Sequence, residues 1–295
     1  MSIEIRPLTA EFVAEVDGVD IARPLDAGVA ELIEAGMDRY AVLIFHDQDI
    51  TDDQQRAFSL NFGALEIPSA VSNITKPEDR RLGTQMTDIS NLDRDGQLHL
   101  RDGRQRMFNL GNRLWHSDSS FRAVPSKFSL LSARVVPSSG GETQFADMRA
   151  GYDALDEQTQ AKLQGLVCEH SLVYSRGKLG FDMLSDAERA RFKPVRQSLL
   201  RVHPATGRKS LYLSAHAGTI LGWQTPEARI FLQDLNEIAT QPRFVHSHHW
   251  RQHDLVIWDN RQTMHRGRAY DDLNETRDMR RTTVAGTAQT ADQAA

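Results

Sequence analysis

Trp115-His116-Ser117-Asp118 sets a histidine and a carboxylate two residues apart. On an extended strand, side chains i and i+2 share a face, so both groups could reach one ion. The pattern is weak by itself. With 11 histidines in the chain, a His-x-Asp is expected about once by chance, and an ordinary surface strand end would read the same way. A second half lies far along the chain in Val256-Ile257-Trp258-Asp259-Asn260-Arg261-Gln262-Thr263-Met264-His265, where an apolar strand runs into a polar turn and His265 follows. Two histidines and one carboxylate leave coordination positions open, an arrangement suited to a non-haem Fe(II) oxygenase. The open positions can take a bidentate 2-oxo acid and dioxygen.

A third feature follows His265. In Arg277-Asp278-Met279-Arg280-Arg281, strand alternation puts Arg277, Met279 and Arg281 on one face and Arg280 on the other. A guanidinium can grip a carboxylate through two parallel hydrogen bonds, so two inward arginines could hold two carboxylates. An exposed basic edge strand is the competing reading. His246, His248, His249 and His253 crowd around Trp250, but no cysteine or carboxylate pattern completes a structural zinc set there. Solvated or packed histidines are the expectation. The single cysteine, Cys168, reads as a buried inert thiol in a strand over 166–170. It excludes an intrachain disulfide and fits a reducing cytosol.

These groups need a scaffold. Alternation predicts strands over 3–7 and 12–18, helical spacing predicts a helix over 28–39, and Ala41-Val42-Leu43-Ile44-Phe45 reads as a buried strand. Thr51-Asp52-Asp53 looks like the capped start of a helix running to Phe62. Further strands fit 129–136, 198–203, 209–214, 243–249, 254–258 and 279–285, with helices near 147–166, 185–192 and 225–240. This is an all-β core with helices outside, and it holds no Gly-rich phosphate loop. Residues 64–110 are polar and lack a sustained period, as in a functional lid, and 175–195 is a second expected lid. Residues 1–286 are expected to form one domain, with 287–295 a flexible tail. The chain has 295 residues, 40% hydrophobic and 25% charged, with a net charge of −5. Nothing in that balance calls for nucleic acid, and no stretch is long enough for a membrane span. With no apolar signal core at Met1-Ser2-Ile3, a cytoplasmic, homo-oligomeric protein is expected.

Taken together, several segments carry a family resemblance. They are Val42-Leu43-Ile44-Phe45-His46-Asp47-Gln48, Asn61-Phe62-Gly63, Leu114 through Phe121, Gly140-Gly141-Glu142-Thr143, and Trp258-Asp259-Asn260-Arg261 through His265. The chain resembles the taurine/2,4-D dioxygenase family of Fe(II)/2-oxoglutarate-dependent enzymes over nearly its whole length. Ala146-Asp147-Met148-Arg149-Ala150, Tyr152-Asp153-Ala154-Leu155 and Ser214-Ala215-His216-Ala217 bring it closest to the α-type 2,4-D (aryloxyacetate) dioxygenases.

The resemblance implies a double-stranded β-helix, the cupin-like jelly roll. It implies iron on His116, Asp118 and His265, and 2-oxoglutarate held by Thr143 and Arg277. Arg281 should meet the substrate's acidic group, with His216, Asn112 and His203 as further substrate candidates. The implied reaction hydroxylates the carbon beside the ether oxygen of an aryloxyacetate, giving a phenol and glyoxylate with succinate and CO2. A taurine-type dioxygenase releasing sulfite, or a non-catalytic metal-binding jelly roll, are the alternatives. Two departures stand out. Gln97 occupies a place where some relatives carry a substrate-loop lysine. The spacing from His265 to Arg277 is one residue longer than in relatives, which predicts an added turn near Asp272–Asn274.

Overall fold

The computed structural model describes residues 3–67 and 73–291. Residues 1–2, 68–72 and 292–295, which fall in the expected N-terminus, first lid and tail, lie outside the described residues. The chain opens with β1 (Glu4–Pro7), β2 (Ala14–Asp17), α1 (Ala27–Tyr40), β3 (Val42–Phe45) and α2 (Asp52–Leu60). β4 (Thr87–Asp88) and α3 (Arg104–Asn109) lie in the weakly patterned segment. Next come β5 (Ser126–Val135), β6 (Thr143–Asp147), α4 (Met148–Asp153), α5 (Glu157–Lys162), β7 (Val167–His170), α6 (Leu172–Gly177) and α7 (Asp186–Arg191). The chain continues through β8 (Val195–Ser198), β9 (Leu200–Val202), β10 (Lys209–Leu211), β11 (Ala217–Ile220) and α8 (Thr225–Ala239). β12 (Val245–His248), β13 (Leu255–Asp259), β14 (Thr263–Gly267) and β15 (Asp278–Ala285) complete it.

A seven-stranded sheet in the order β1-β2-β3-β13-β5-β15-β4 faces a three-stranded sheet, β12-β6-β14. Alternation on β13 shows how the layers are cemented. Leu255 and Ile257 pack with Ile33 and Met37 of α1 and Phe58 of α2, while Val256 and Trp258 point the other way, onto Phe145 of β6. Behind the smaller sheet, Ala146 and Met264 pack on α4 and α8. This is the jelly roll with flanking helices that was expected, closed by two sheets whose inner faces share one core. The predicted capping box of α2 is present: Thr51 Oγ1 accepts from Gln54 N, and Gln54 returns the bond to Thr51 N. Among the described residues no helix is long and apolar enough to cross a membrane.

Several expectations need correction. The helix expected over 147–166 is interrupted: α4 ends before Asp156, whose carboxylate caps a new helix by accepting from Thr159 N. β6, β11 and β14 were not anticipated, because their few apolar residues give no clear period. The tail expected from 287 is packed as far as Thr290, which is buried, accepts from Ser198 N and bonds Gln197. The described part of the segment 64–110, expected as a lid, is tied to the sheet. Leu65 bridges Val284, β4 pairs with β15, and Ile89 N donates to Met279 O. It packs on the second expected lid through Ile74, Phe108, Leu184 and Phe192.

Candidate functional site

His116 and His265 face each other across an isolated antiparallel bridge, exchanging backbone bonds of 3.0 and 2.8 Å. Their rings approach to 4.2 Å between centroids. His116 Nδ1–H donates to Leu114 O at 2.8 Å, which turns Nε2 toward the site. The expected strand over 116–118 is not there. His116 makes the single bridge, and Asp118 begins a turn with Ser119 at φ +54°. That turn, and not strand alternation, swings the carboxylate in. His116 Nε2 lies 3.8 Å from Asp118 Oδ1, and His265 Nε2 lies 3.7 Å from Asp118 Oδ2. One donor atom from each residue falls within 4.8 Å of the other two, and all three residues are buried.

The charge states suit a divalent cation. Burial drives both imidazoles toward the neutral form, with His265 well below its ordinary value. Burial alone would raise the Asp118 carboxyl, but the Arg281 guanidinium foremost, helped by the hydrogen bond from Ser129, outweighs it and holds it down at about 2. The arrangement therefore offers two neutral nitrogens and a carboxylate, the donor set the motif predicted.

Asp118 is held from several sides. Ser129 Oγ donates to Oδ2 at 2.7 Å, Arg281 Nη1 donates to Oδ1 at 2.6 Å, and Asp118 N donates to Asn260 Oδ1 at 3.1 Å. Asn260 in turn donates to Ser129 Oγ and accepts from Trp258 Nε1. Sequence reasoning missed Ser129 and Asn260 as supports of the carboxylate. The Trp258-Asp259-Asn260 stretch was noticed, but nothing in it signals a partner 142 positions away in the chain.

Two chambers meet at this cluster. The first, about 120 Å³, is lined by Thr143, Trp258, His265, Tyr270, Arg277 and Arg281 among others. Arg277 is buried, and burial pushes its guanidinium down to about 10. Its one side-chain hydrogen bond is from Nη1 to Ile89 O at 3.4 Å, and no carboxylate pairs with it among the described residues. An unmatched buried guanidinium is a ready anion site. Gly140 and Gly141, at φ +73° and +72°, bend the chain so that Thr143 enters the same chamber. A Cβ on Gly141 would stand 3.4 Å from Arg277 Nε. Thr143 Oγ1 accepts from Trp250 Nε1 at 3.0 Å.

The second chamber, about 90 Å³, shares His116, Asn112 and Arg281 with the first and adds Phe108, Phe121, Leu172, Arg176 and His216. β15 alternates as expected: Met279 points to the inner core, Arg281 lines both chambers, and Arg280 lies opposite, paired with Asp52. Arg281, expected to meet the substrate's acidic group, also donates from Nη1 to Asp118 Oδ1 at 2.6 Å. His216 and Asn112 line the second chamber. His203 does not. It is buried away from both chambers, between Asp259 at 3.3 Å and Asp38 at 3.5 Å. Arg176 went unnoticed because its neighbours gave no motif. Residues 272–274 form the turn expected there.

Elsewhere, His248 and His46 both bond Asp254, at 3.0 and 2.6 Å, and the histidine group makes no metal cluster among the described residues. Cys168 is buried, with its thiol pushed up to about 12.

The model of the taurine catabolism dioxygenase TauD, TfdA family matches residues 4–283. The chain is 43% identical over 284 residues to the alpha-ketoglutarate-dependent 2,4-dichlorophenoxyacetate dioxygenase of Cupriavidus pinatubonensis, covering 96% of this chain and 98% of that one. It is 39% identical to the (S)-phenoxypropionate/alpha-ketoglutarate-dioxygenase of Sphingobium herbicidovorans, over 97% of this chain and 96% of that one. The crystal structure of AAD-2 in complex with Mn(II) and N-oxalylglycine superposes with a TM-score of 0.95 at 59% identity, covering 98% of this chain and all of that one.

Proposed function

Given that the chain belongs to the TauD, TfdA family and is a 2-oxoglutarate-dependent dioxygenase, we propose that it acts on aryloxyacetic acids such as 2,4-dichlorophenoxyacetate. The observation that carries this reading is the pair of chambers meeting at His116, Asp118 and His265. One ends in an unmatched guanidinium beside a hydroxyl, and the other is walled by Phe108, Phe121 and Leu172. An aromatic ring fits those apolar walls better than the zwitterion of an alkylsulfonate does.

In this reading the two histidines and Asp118 hold Fe(II). Arg277 and Thr143 receive the far carboxylate of 2-oxoglutarate. Bound together, iron and 2-oxoglutarate supply the oxidising chemistry: dioxygen is consumed, the cosubstrate leaves as succinate and CO2, and one oxygen atom goes to the substrate. The protein's share is placement. Ser129 and Arg281 fix the Asp118 carboxylate, Asn260 holds the Asp118 backbone N–H, and Trp250 orients the Thr143 hydroxyl. Phe121, Leu172 and His216 hold the ether-bearing carbon toward the cluster, while the segments around 74–109 and 172–192 keep bulk water out. Hydroxylation at that carbon gives a hemiacetal, whose collapse breaks the carbon–oxygen ether bond to release a phenol and glyoxylate. A lone buried cysteine also fits our placement of the enzyme in a reducing cytoplasm.

A panel of 2,4-dichlorophenoxyacetate, phenoxypropionates, cinnamates and taurine, scored by succinate formed, tests the substrate. Aryloxyacetates should dominate, and turnover confined to taurine would sink the proposal. Anaerobic Fe(II) and 2-oxoglutarate together should give a metal-to-ligand charge-transfer band, and a folded sample without it would refute the site assignment.

A further inference from the structure

The second chamber, at about 90 Å³, is small for an aromatic acid. A benzene ring alone occupies a cavity of about 150 Å³. A larger cavity of about 460 Å³ adjoins it. Asn73, Thr87, Asp88 and Asn109 line both spaces and form the rim where they meet. Ile74, Leu82 and Met86 give the larger cavity an apolar part to its wall.

The two halves of this rim are held differently. Thr87 and Asp88 form β4, which pairs with Arg281 and Arg280 of β15. Arg81 also grips both oxygens of Asp88, at 2.8 and 2.9 Å. That half is built into the large sheet. The side chains of Asn73 and Asn109 are joined instead by a single amide, that of Gln105 in α3. Gln105 Nε2 donates to Asn109 Oδ1 at 3.1 Å and, more weakly, to Asn73 Oδ1 at 3.4 Å. Its Oε1 accepts from Thr75 Oγ1 at 3.0 Å. Next to the two asparagines, Ile74 and Phe108 pack in one apolar cluster. That cluster keeps the two segments together whether or not the amide is present. The amide is left to fix how far apart the asparagines stand.

We propose that Gln105 is a specificity-determining residue, whose amide clasps Asn73 to Asn109 and so selects aromatic acids by the breadth of the ring that extends between the two cavities. The proposal rests on reading the second chamber as the site of aryloxyacetates. A ring substituted only at its far end passes between the asparagines. A ring substituted on both flanks meets them and must break a bond of the clasp.

The test uses the full chain loaded with Mn(II) and N-oxalylglycine, a pair present in the structure of a relative. The narrow 4-chlorophenoxyacetate and the broad 3,5-dichlorophenoxyacetate are titrated calorimetrically. Wild type should bind the narrow acid more tightly. Gln105→Met keeps the length of the side chain and removes its hydrogen bonds. It should tighten binding of the broad acid roughly 3- to 10-fold, the worth of one released bond, and leave the narrow acid and N-oxalylglycine unchanged. Thr75→Val frees the other end of the amide and should act in the same direction, with little added in the double variant. The Tm of Gln105→Met should match that of wild type.

Undiminished discrimination in Gln105→Met overturns the proposal. So does a lowered Tm with both acids weakened alike, the mark of a merely structural amide. Relaxation by Gln105→Ala but not by Gln105→Met would point to bulk and also overturn the clasp. Turnover with Fe(II) and 2-oxoglutarate separates the two readings. If both acids bind in the expected pattern and neither yields succinate, the aryloxyacetate function fails and the clasp survives. If both are turned over with the same ratio of kcat/KM in wild type and Gln105→Met, the clasp fails and the function survives. Wild type that binds neither acid refutes both.

Discussion

Asp118 accepts two side-chain hydrogen bonds, one on each oxygen, before any metal is considered. Such fixed carboxylates bind metals with little reorganisation, and the groups that fix them matter nearly as much as the ligands. Ser129→Ala should therefore weaken Fe(II) affinity by about 10- to 100-fold without moving the fold. Anaerobic titration against the charge-transfer band measures this, and an unchanged affinity would show that Arg281 and Asn260 suffice. Arg277 poses the opposite case, a cation waiting for its partner. Arg277→Ala should raise the KM for 2-oxoglutarate by roughly 10- to 100-fold and leave Fe(II) binding intact. Steady-state succinate production over a range of 2-oxoglutarate concentrations gives the number.

At the scale of elements, the turn before β6 does most to aim the first chamber. Gly140 has φ +73°, and an added Cβ would lie 2.4 Å from the Ala269 carbonyl oxygen. No L-residue avoids both the strained backbone and that clash. Gly140→Ala should cost about 1–3 kcal/mol of stability, read by urea unfolding. Because the turn carries Thr143 and abuts Arg277, 2-oxoglutarate affinity should fall with it. The bridge between His116 and His265 works the same way: a single pair of backbone bonds sets the distance between two imidazoles that stand 149 residues apart in sequence.

Across the whole molecule, three strands of the large sheet are joined by a polar relay. His46 at the end of β3 bonds Asp254 before β13 at 2.6 Å and Glu15 of β2 at 3.2 Å, and Asp254 also bonds His248 of β12. Burial alone would lower the His46 pKa, but Asp254 and Glu15 outweigh it and raise it above its ordinary 6.5. A base raised on folding contributes its full stability below its unfolded pKa and loses it as pH rises through the folded value. Asp254 is held below its ordinary 3.8 because its hydrogen bonds outweigh burial, so its contribution is lost only as pH falls through the folded value. Stability should decline from about pH 6.5 upward as His46 deprotonates. His46→Asn should flatten that part of the Tm–pH profile, and an unaltered slope would place the titration elsewhere.

The residues that chemistry demands were legible in the chain because their types and local spacing carry the signal. His116, Asp118 and His265 form one cluster, and Thr143, Arg277, Arg281, His216 and Asn112 line the chambers around it. The apolar alternation of β13 and the capping box of α2 were equally local. His203 misled because a histidine near the right place in a motif says nothing about which cavity it faces; here it is spent on Asp259 and Asp38. β6 and β14 were invisible because strands that present polar groups to a site lack the period that marks a strand. What the tertiary structure alone decided is which charge meets which. It paired Arg281 with Asp118 and, among the described residues, left Arg176 and Arg277 without a carboxylate partner. Pairing of buried charges depends on distances across the fold, between residues whose separation along the chain carries no trace of it.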